Sequence, residues 1–133
     1  MIKREGDPNE LIEYMKKKSS GKGYNLKIVN YGIASRFGKD IVMNKHLAKY
    51  KSFCLDVLDH EIRHSEKLSK KDMLMDTTEG SILTNLEFCF RHPSGFVQFL
   101  PIGIYNKKIF FDLNLIGVYL IAAIMLIIFF WVF

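Results

Sequence analysis

The sequence has very little cysteine, and what it has fits none of the usual cysteine architectures. Cys54 and Cys89 are the only two. They form no CxxC pair and make no disulfide framework, so they read as reduced core residues of a domain in a reducing compartment. A glycine-rich phosphate loop, a nucleophile elbow and the kinase signatures are all missing, which excludes the phosphoryl-transfer and serine-hydrolase chemistries built on them. No internal repeat is visible, and no low-complexity stretch occurs outside the C-terminal end. The N-terminus, MIKREGDPNELIEYMKKK, is too charged for the apolar core of a secretory signal, so none is expected. Nor is there a basic stripe interleaved with aromatics. The net charge is +5, and its one dense run, MKKKSSGKGY, reads as a helix end and linker. No nucleic-acid partner is expected.

Charge is also missing from residues 114–133, and this absence is the most informative. Twenty uncharged, mostly aliphatic and aromatic residues are enough to cross a hydrocarbon core as a helix. Every Lys and Arg precedes that run, and Lys107 and Lys108 lie close to its start. The positive-inside rule then keeps the N-terminal domain in the cytoplasm. The expected organisation is a folded domain over 1–92, an apolar membrane-proximal segment over 93–113 lying against the lipid surface, and a single-pass anchor over 114–133, as in a tail-anchored protein.

Within the first 92 residues, Asp7-Pro8-Asn9-Glu10 has the form of an N-cap, a proline at the first helical position and a glutamate three after the cap. Leu11, Ile12 and Met15 give the apolar stripe, and SSGKG ends the helix. YNLKIVNYGIASRFGKDIVMN, with Gly32 and FGKD as turn points, predicts two or three short antiparallel strands between Tyr24 and Asn44. Asn44 is placed to cap a short helix over KHLAKY, and Ser52 to cap the next one.

That next helix, predicted over Ser52–Leu68, carries the chemistry. At about 100° per residue, Asp56, Asp59, Arg63, Glu66 and Lys67 share the wet face, and Cys54, Leu55, Leu58 and Ile62 the buried one. His60 and His64 fall with Phe53, Val57 and Leu68, and Glu61 stands beside them, so two imidazoles and a carboxylate turn inward or toward a cleft. His60-Glu61-Ile62-Arg63-His64 is an HExxH sequence. Two histidines four apart on a helix can grip one Zn²⁺ at about 2.0–2.1 Å each, and the offset glutamate is left to take the proton of a zinc-bound water. A second, acidic helix is expected from a capping box at Ser69 and Asp72, ending by His92 because Pro93 follows. Asp72, Asp76, Glu79, Leu83 and Leu86 share its inward face. His92 and His46 read as a loop residue and an exposed residue of a short polar helix.

IASRFGKDIVMNKHL followed by FCLDVLDHEIRHSEK resembles the core of the zincin metallopeptidases over roughly residues 30 to 80. In that family an edge strand and a strand ending near Asn precede the HExxH helix. The resemblance implies a minimal α+β zincin-like domain, with His60 and His64 as zinc ligands and Glu61 as the catalytic glutamate. SEKLSK lacks the glycine and third histidine of the metzincin continuation. In gluzincins the third ligand is a glutamate on the second helix, with an acid one turn later orienting the first histidine. Here a hairpin turning near Ser69 sets Asp76 opposite the HExxH pair as the expected ligand. Glu79 then accepts the His60 ring N–H, and Asp72 is an alternative. The expected activity is zinc-dependent hydrolysis of a protein or peptide substrate, drawn along an edge strand between Gly32 and Met43, at the cytoplasmic face of a lipid membrane. The alternative is a non-catalytic, membrane-anchored zinc-binding or interaction module.

Overall fold

The computed structural model describes residues 2–64, 82–105 and 107–132. The chain is α+β and divides into two compact units, Met1–Gln98 and Phe99–Phe133.

In the first unit, helix α1 (Pro8–Gly21) starts as its sequence dictates. The Asp7 carboxylate accepts from Asn9 N at 2.9 Å, and proline takes the first turn. Leu11, Met15 and Ser19, spaced by four, form the buried stripe. The Ser19 hydroxyl is satisfied at the Met15 carbonyl, 2.9 Å away.

Three strands follow, β1 (Asn25–Val29), β2 (Ala34–Phe37) and β3 (Asp40–Asn44), in the order β1-β3-β2. β2 and β3 form an antiparallel hairpin in which Phe37 faces Asp40 across Gly38 and Lys39. Gly38 has φ +62°, the left-handed backbone that a two-residue hairpin turn demands. β1, however, pairs parallel with β3, Leu26 opposite Ile41 and Ile28 opposite Met43. The sheet is therefore mixed and not wholly antiparallel. The segment after Val29 carries the chain past β3 to its far side, which leaves β2 as an edge strand.

Asn44 ends β3 and is almost wholly buried. Its side-chain oxygen accepts from His46 N at 3.0 Å, starting a 3-10 turn over Lys45–Lys49, and its amide donates to the Gly32 carbonyl at 2.7 Å. Helix α2 (Lys51–Arg63) begins at once, with Tyr50 and not Ser52 at its N-cap. Ser52 instead donates to the Glu5 carboxylate at 3.1 Å. Helix α3 (Ile82–Arg91) ends before His92, as Pro93 requires, and a 3-10 stretch over Pro93–Phe99 follows. Among the described residues, Met15, Ile41, Met43, Leu47, Leu58 and Phe88 are large, fully buried apolar side chains, so α1, the sheet, α2 and α3 share one core. Cys54 and Cys89 are free thiols inside it, and the Cys54 thiol points at the Met15 sulfur, 3.2 Å away. On α3, Leu83, expected to turn inward, is 80% exposed, whereas Leu86 is half-buried; Phe88 and Cys89 are the residues the helix buries.

In the second unit, β4 (Ile102–Tyr105) and β5 (Lys108–Phe111) form an antiparallel hairpin, and helix α4 (Leu113–Val132) follows. The Asp112 carboxylate accepts from Leu115 N at 3.0 Å and caps α4. Over Leu115–Val132 the mean hydropathy is 2.8, so α4 is long and apolar enough to cross a membrane.

Candidate metal centre

The HExxH residues sit on the last turn of α2. Helix spacing brings His60 and His64 to one side, and their Nε2 atoms converge to 3.0 Å with ring planes at 90°. Both rings are half-buried, while Glu61 is 8% exposed. Glu61 thus shares the buried face with Cys54 and Leu58, whereas Leu55 and Ile62 are only half-buried. Asp56 and Arg63 are exposed, and Asp59 forms an ion pair with Lys18 of α1 at 2.7 Å.

The helix stops sooner than its periodicity predicts. His64 is the C-cap, with φ −56° and ψ 141°. Its φ stays helical, so its Cβ leaves the chain as it would on a further turn; only ψ turns the following backbone away. The four-residue geometry of the pair therefore survives the end of the helix.

A side chain that sequence reasoning did not single out holds this helix end. Arg36, on the edge strand β2, donates to the carbonyls of Glu61 at 3.3 Å and Ile62 at 3.5 Å, and to that of His64. Its Nε donates to the Gly38 carbonyl at 3.0 Å, and its guanidinium lies 4.9 Å above the centre of the Tyr24 ring. The last carbonyls of a helix have no intrahelical donor and carry the negative end of its dipole, so a fixed guanidinium there satisfies both. No local pattern marks Arg36, because the contact joins residues 28 apart in sequence.

His60 and Glu61 line a cleft of about 970 Å³. Ile33 and Ala34, at the start of β2, form part of its wall, and Thr84 and Asn85 of α3 and Gln98 another part. The cleft therefore runs beside the edge of the sheet.

An ion with bonds of about 2.0–2.1 Å in a tetrahedral site holds two nitrogens about 3.3 Å apart, so the His60–His64 pair fits zinc after a shift of a few tenths of an ångström. Among the described residues no group of three His, Cys, Asp or Glu side chains forms a metal site. Asp76, Glu79 and Asp72, from which the third ligand is expected, lie outside the described residues, as do Glu66, Lys67, Leu68 and Ser69.

His92 does not line the cleft. Its Nε2 lies 3.0 Å from the Tyr50 hydroxyl, and its ring stacks on His46 at 4.4 Å with planes 7° apart. His46 is accordingly half-buried and not exposed. Burial lowers the proton affinity of both imidazoles. Lys49 and Lys45 add to this at His46, and His46, Lys49, Arg4 and Arg91 at His92. Burial also pushes the Cys54 thiol up to about 12, which leaves it un-ionised and unreactive.

Comparison with family models, with curated proteins and with solved structures finds no match to this chain.

Proposed function

We propose that this chain is a zinc-dependent peptidase of zincin type, held at a membrane by α4 with its N-terminal domain on the cytoplasmic side. The observation that carries the reading is the convergence of the His60 and His64 Nε2 atoms to 3.0 Å beside a cleft into which the intervening Glu61 also opens. Two supports are independent of the motif. β2 is an edge of its sheet, and β3 ends at Asn44, one 3-10 turn before the HExxH helix, the order that the zincin resemblance implies. In addition, all Lys and Arg side chains lie on the N-terminal side of α4.

His60 and His64 would hold the metal, with Asp76 as the third ligand, Glu79 accepting the His60 ring N–H, and Asp72 in reserve. A bound zinc ion supplies a Lewis acid at the scissile carbonyl and makes a water acidic near neutral pH. Glu61 takes the proton of the attacking water and returns it to the leaving amine, a role its largely buried carboxylate suits because exchange with bulk solvent is restricted. The substrate lies extended along the outer side of β2, adding a strand to the sheet and bringing a peptide bond past Ala34 toward His60. Arg36 fixes the carbonyl end of α2, so the same strand that would receive the substrate positions His64.

Metal analysis of the full chain in detergent tests this. About one zinc per chain is expected in the wild type, with tight binding lost in both His60→Ala and His64→Ala, since each removes one of three ligands. Stoichiometric zinc in both variants would contradict the reading.

A further inference from the structure

The β4–β5 hairpin has an exposed apolar face. Its register places Ile102 opposite Phe111 and Ile104 opposite Ile109, so these four side chains share one side. They are 51%, 61%, 65% and 65% exposed. The other side carries Gly103, Phe110, Tyr105 and Lys108, and there the Phe110 ring covers Gly103 so closely that a Cβ has no room. A two-stranded hairpin with one wholly apolar exposed face is marginal in water.

The hairpin is also tied to the first turns of α4. Asp112 N donates to the Pro101 carbonyl at 2.9 Å, closing the base of the strand pair, and the same residue caps the helix. The Tyr119 hydroxyl, from a residue about 9 Å along the helix from Leu113, reaches back to the Phe99 carbonyl. The base of the hairpin therefore stands level with the start of the apolar run at Leu115. Lys107 and Lys108 are exposed at its tip.

We propose that the hairpin is a membrane-interface finger, which lays Ile102, Ile104, Ile109 and Phe111 onto the acyl boundary of the leaflet where α4 enters. Lys107 and Lys108 then meet anionic headgroups of that leaflet, as lysines near an apolar surface do. This rests on α4 crossing a membrane. Depth is limited by the backbone. Both strands have an outer edge that no other described strand pairs, and open sheet edges are not tolerated in hydrocarbon, so only the side chains of one face dip below the headgroups. The finger thus makes a second attachment beside the span and fixes how the second unit is seated on the bilayer.

The test uses the full chain in vesicles of phosphatidylcholine with and without phosphatidylserine. Trp131→Phe removes the one native indole, and Ile104→Trp or, separately, Phe111→Trp reports from the hairpin face; two positions guard against one that disturbs the strand pair. An alkaline wash first establishes that the chain is integral. A chain stripped from the vesicles means that the membrane placement itself is wrong. With the chain integral, the indole emission should be blue-shifted, quenched by lipids brominated near the top of the acyl chain more than by deeply brominated ones, and shielded from acrylamide. Lys107→Gln with Lys108→Gln should abolish any extra quenching gained from phosphatidylserine. An integral chain whose hairpin indole is open to acrylamide and silent to brominated lipid overturns the inference. So does one shielded from both, which would place protein, from this chain or a second copy, on that face.

Discussion

Arg36 Nη1 on the edge strand lies 3.3 Å from the main-chain oxygen of Glu61, the residue assigned as proton carrier. The same guanidinium reaches Ile62 and His64, so a single side chain on β2 closes the end of the HExxH helix. Arg36→Ala should lower stability by about 1–2 kcal/mol, as expected for charge-assisted bonds at a half-buried site, and weaken zinc binding by about tenfold by loosening His64. Arg36→Lys should recover little, because a point charge cannot bridge three carbonyls. Unfolding midpoints and chelator competition measure the two effects. Unchanged zinc affinity in Arg36→Ala would show that His64 needs no such support.

The third ligand is expected to separate three acids by their effects. Asp76→Asn should weaken zinc binding more than Asp72→Asn, since only the former removes an anionic ligand. Glu79→Gln should cost on the order of 10–100-fold in affinity or activity, as for a group that orients a ligating histidine. Greatest sensitivity at Asp72 would place the turn between the helices closer to the HExxH segment than the sequence spacing suggests.

The stacked His46–His92 pair predicts a pH dependence of stability separate from catalysis. Both imidazoles bind protons less readily in the folded chain, chiefly through burial. The unfolded chain therefore takes up protons first as pH falls through the ordinary histidine value of about 6.5, and the fold loses stability below it. Above that value the pair contributes no slope. The thermal midpoint of the wild type should fall between about pH 7 and pH 5, and His92→Gln should flatten part of that fall. Equal slopes in the two proteins would show that the pair does not titrate with unfolding.

What the sequence made legible was local. Asp7 and Pro8 start α1, Asn44 caps the 3-10 turn, FGKD makes the hairpin, Pro93 bounds α3, and the uncharged run becomes α4, because each signal acts within a few residues. The misses are long-range. The parallel pairing of β1 with β3 depends on where the chain goes after Val29. The contacts of Arg36 join a strand to a helix end. Ser52 looked like a cap but finds Glu5 47 residues away. Helical-wheel phase placed His60 and His64 together and Glu61 beside the cleft correctly, yet it read Leu55 and Ile62 as buried when they are half-buried, while Glu61 is buried with Cys54 and Leu58. The wheel counts angles, whereas burial depends on what packs opposite each angle.

The measurement that most directly tests the central claim is hydrolysis of an unstructured protein such as casein by wild type and Glu61→Gln. It should be made in liposomes and in detergent, with zinc content determined on the same samples. Glutamine keeps the size and hydrogen bonding of Glu61 but cannot accept a proton, so the variant should fold, retain about one zinc and lose activity by about 10²–10⁴-fold. A zinc-loaded wild type inactive in both media would favour the non-catalytic zinc-binding module. Equal activity in wild type and variant would contradict the account, because the proton would then be carried by a group other than Glu61.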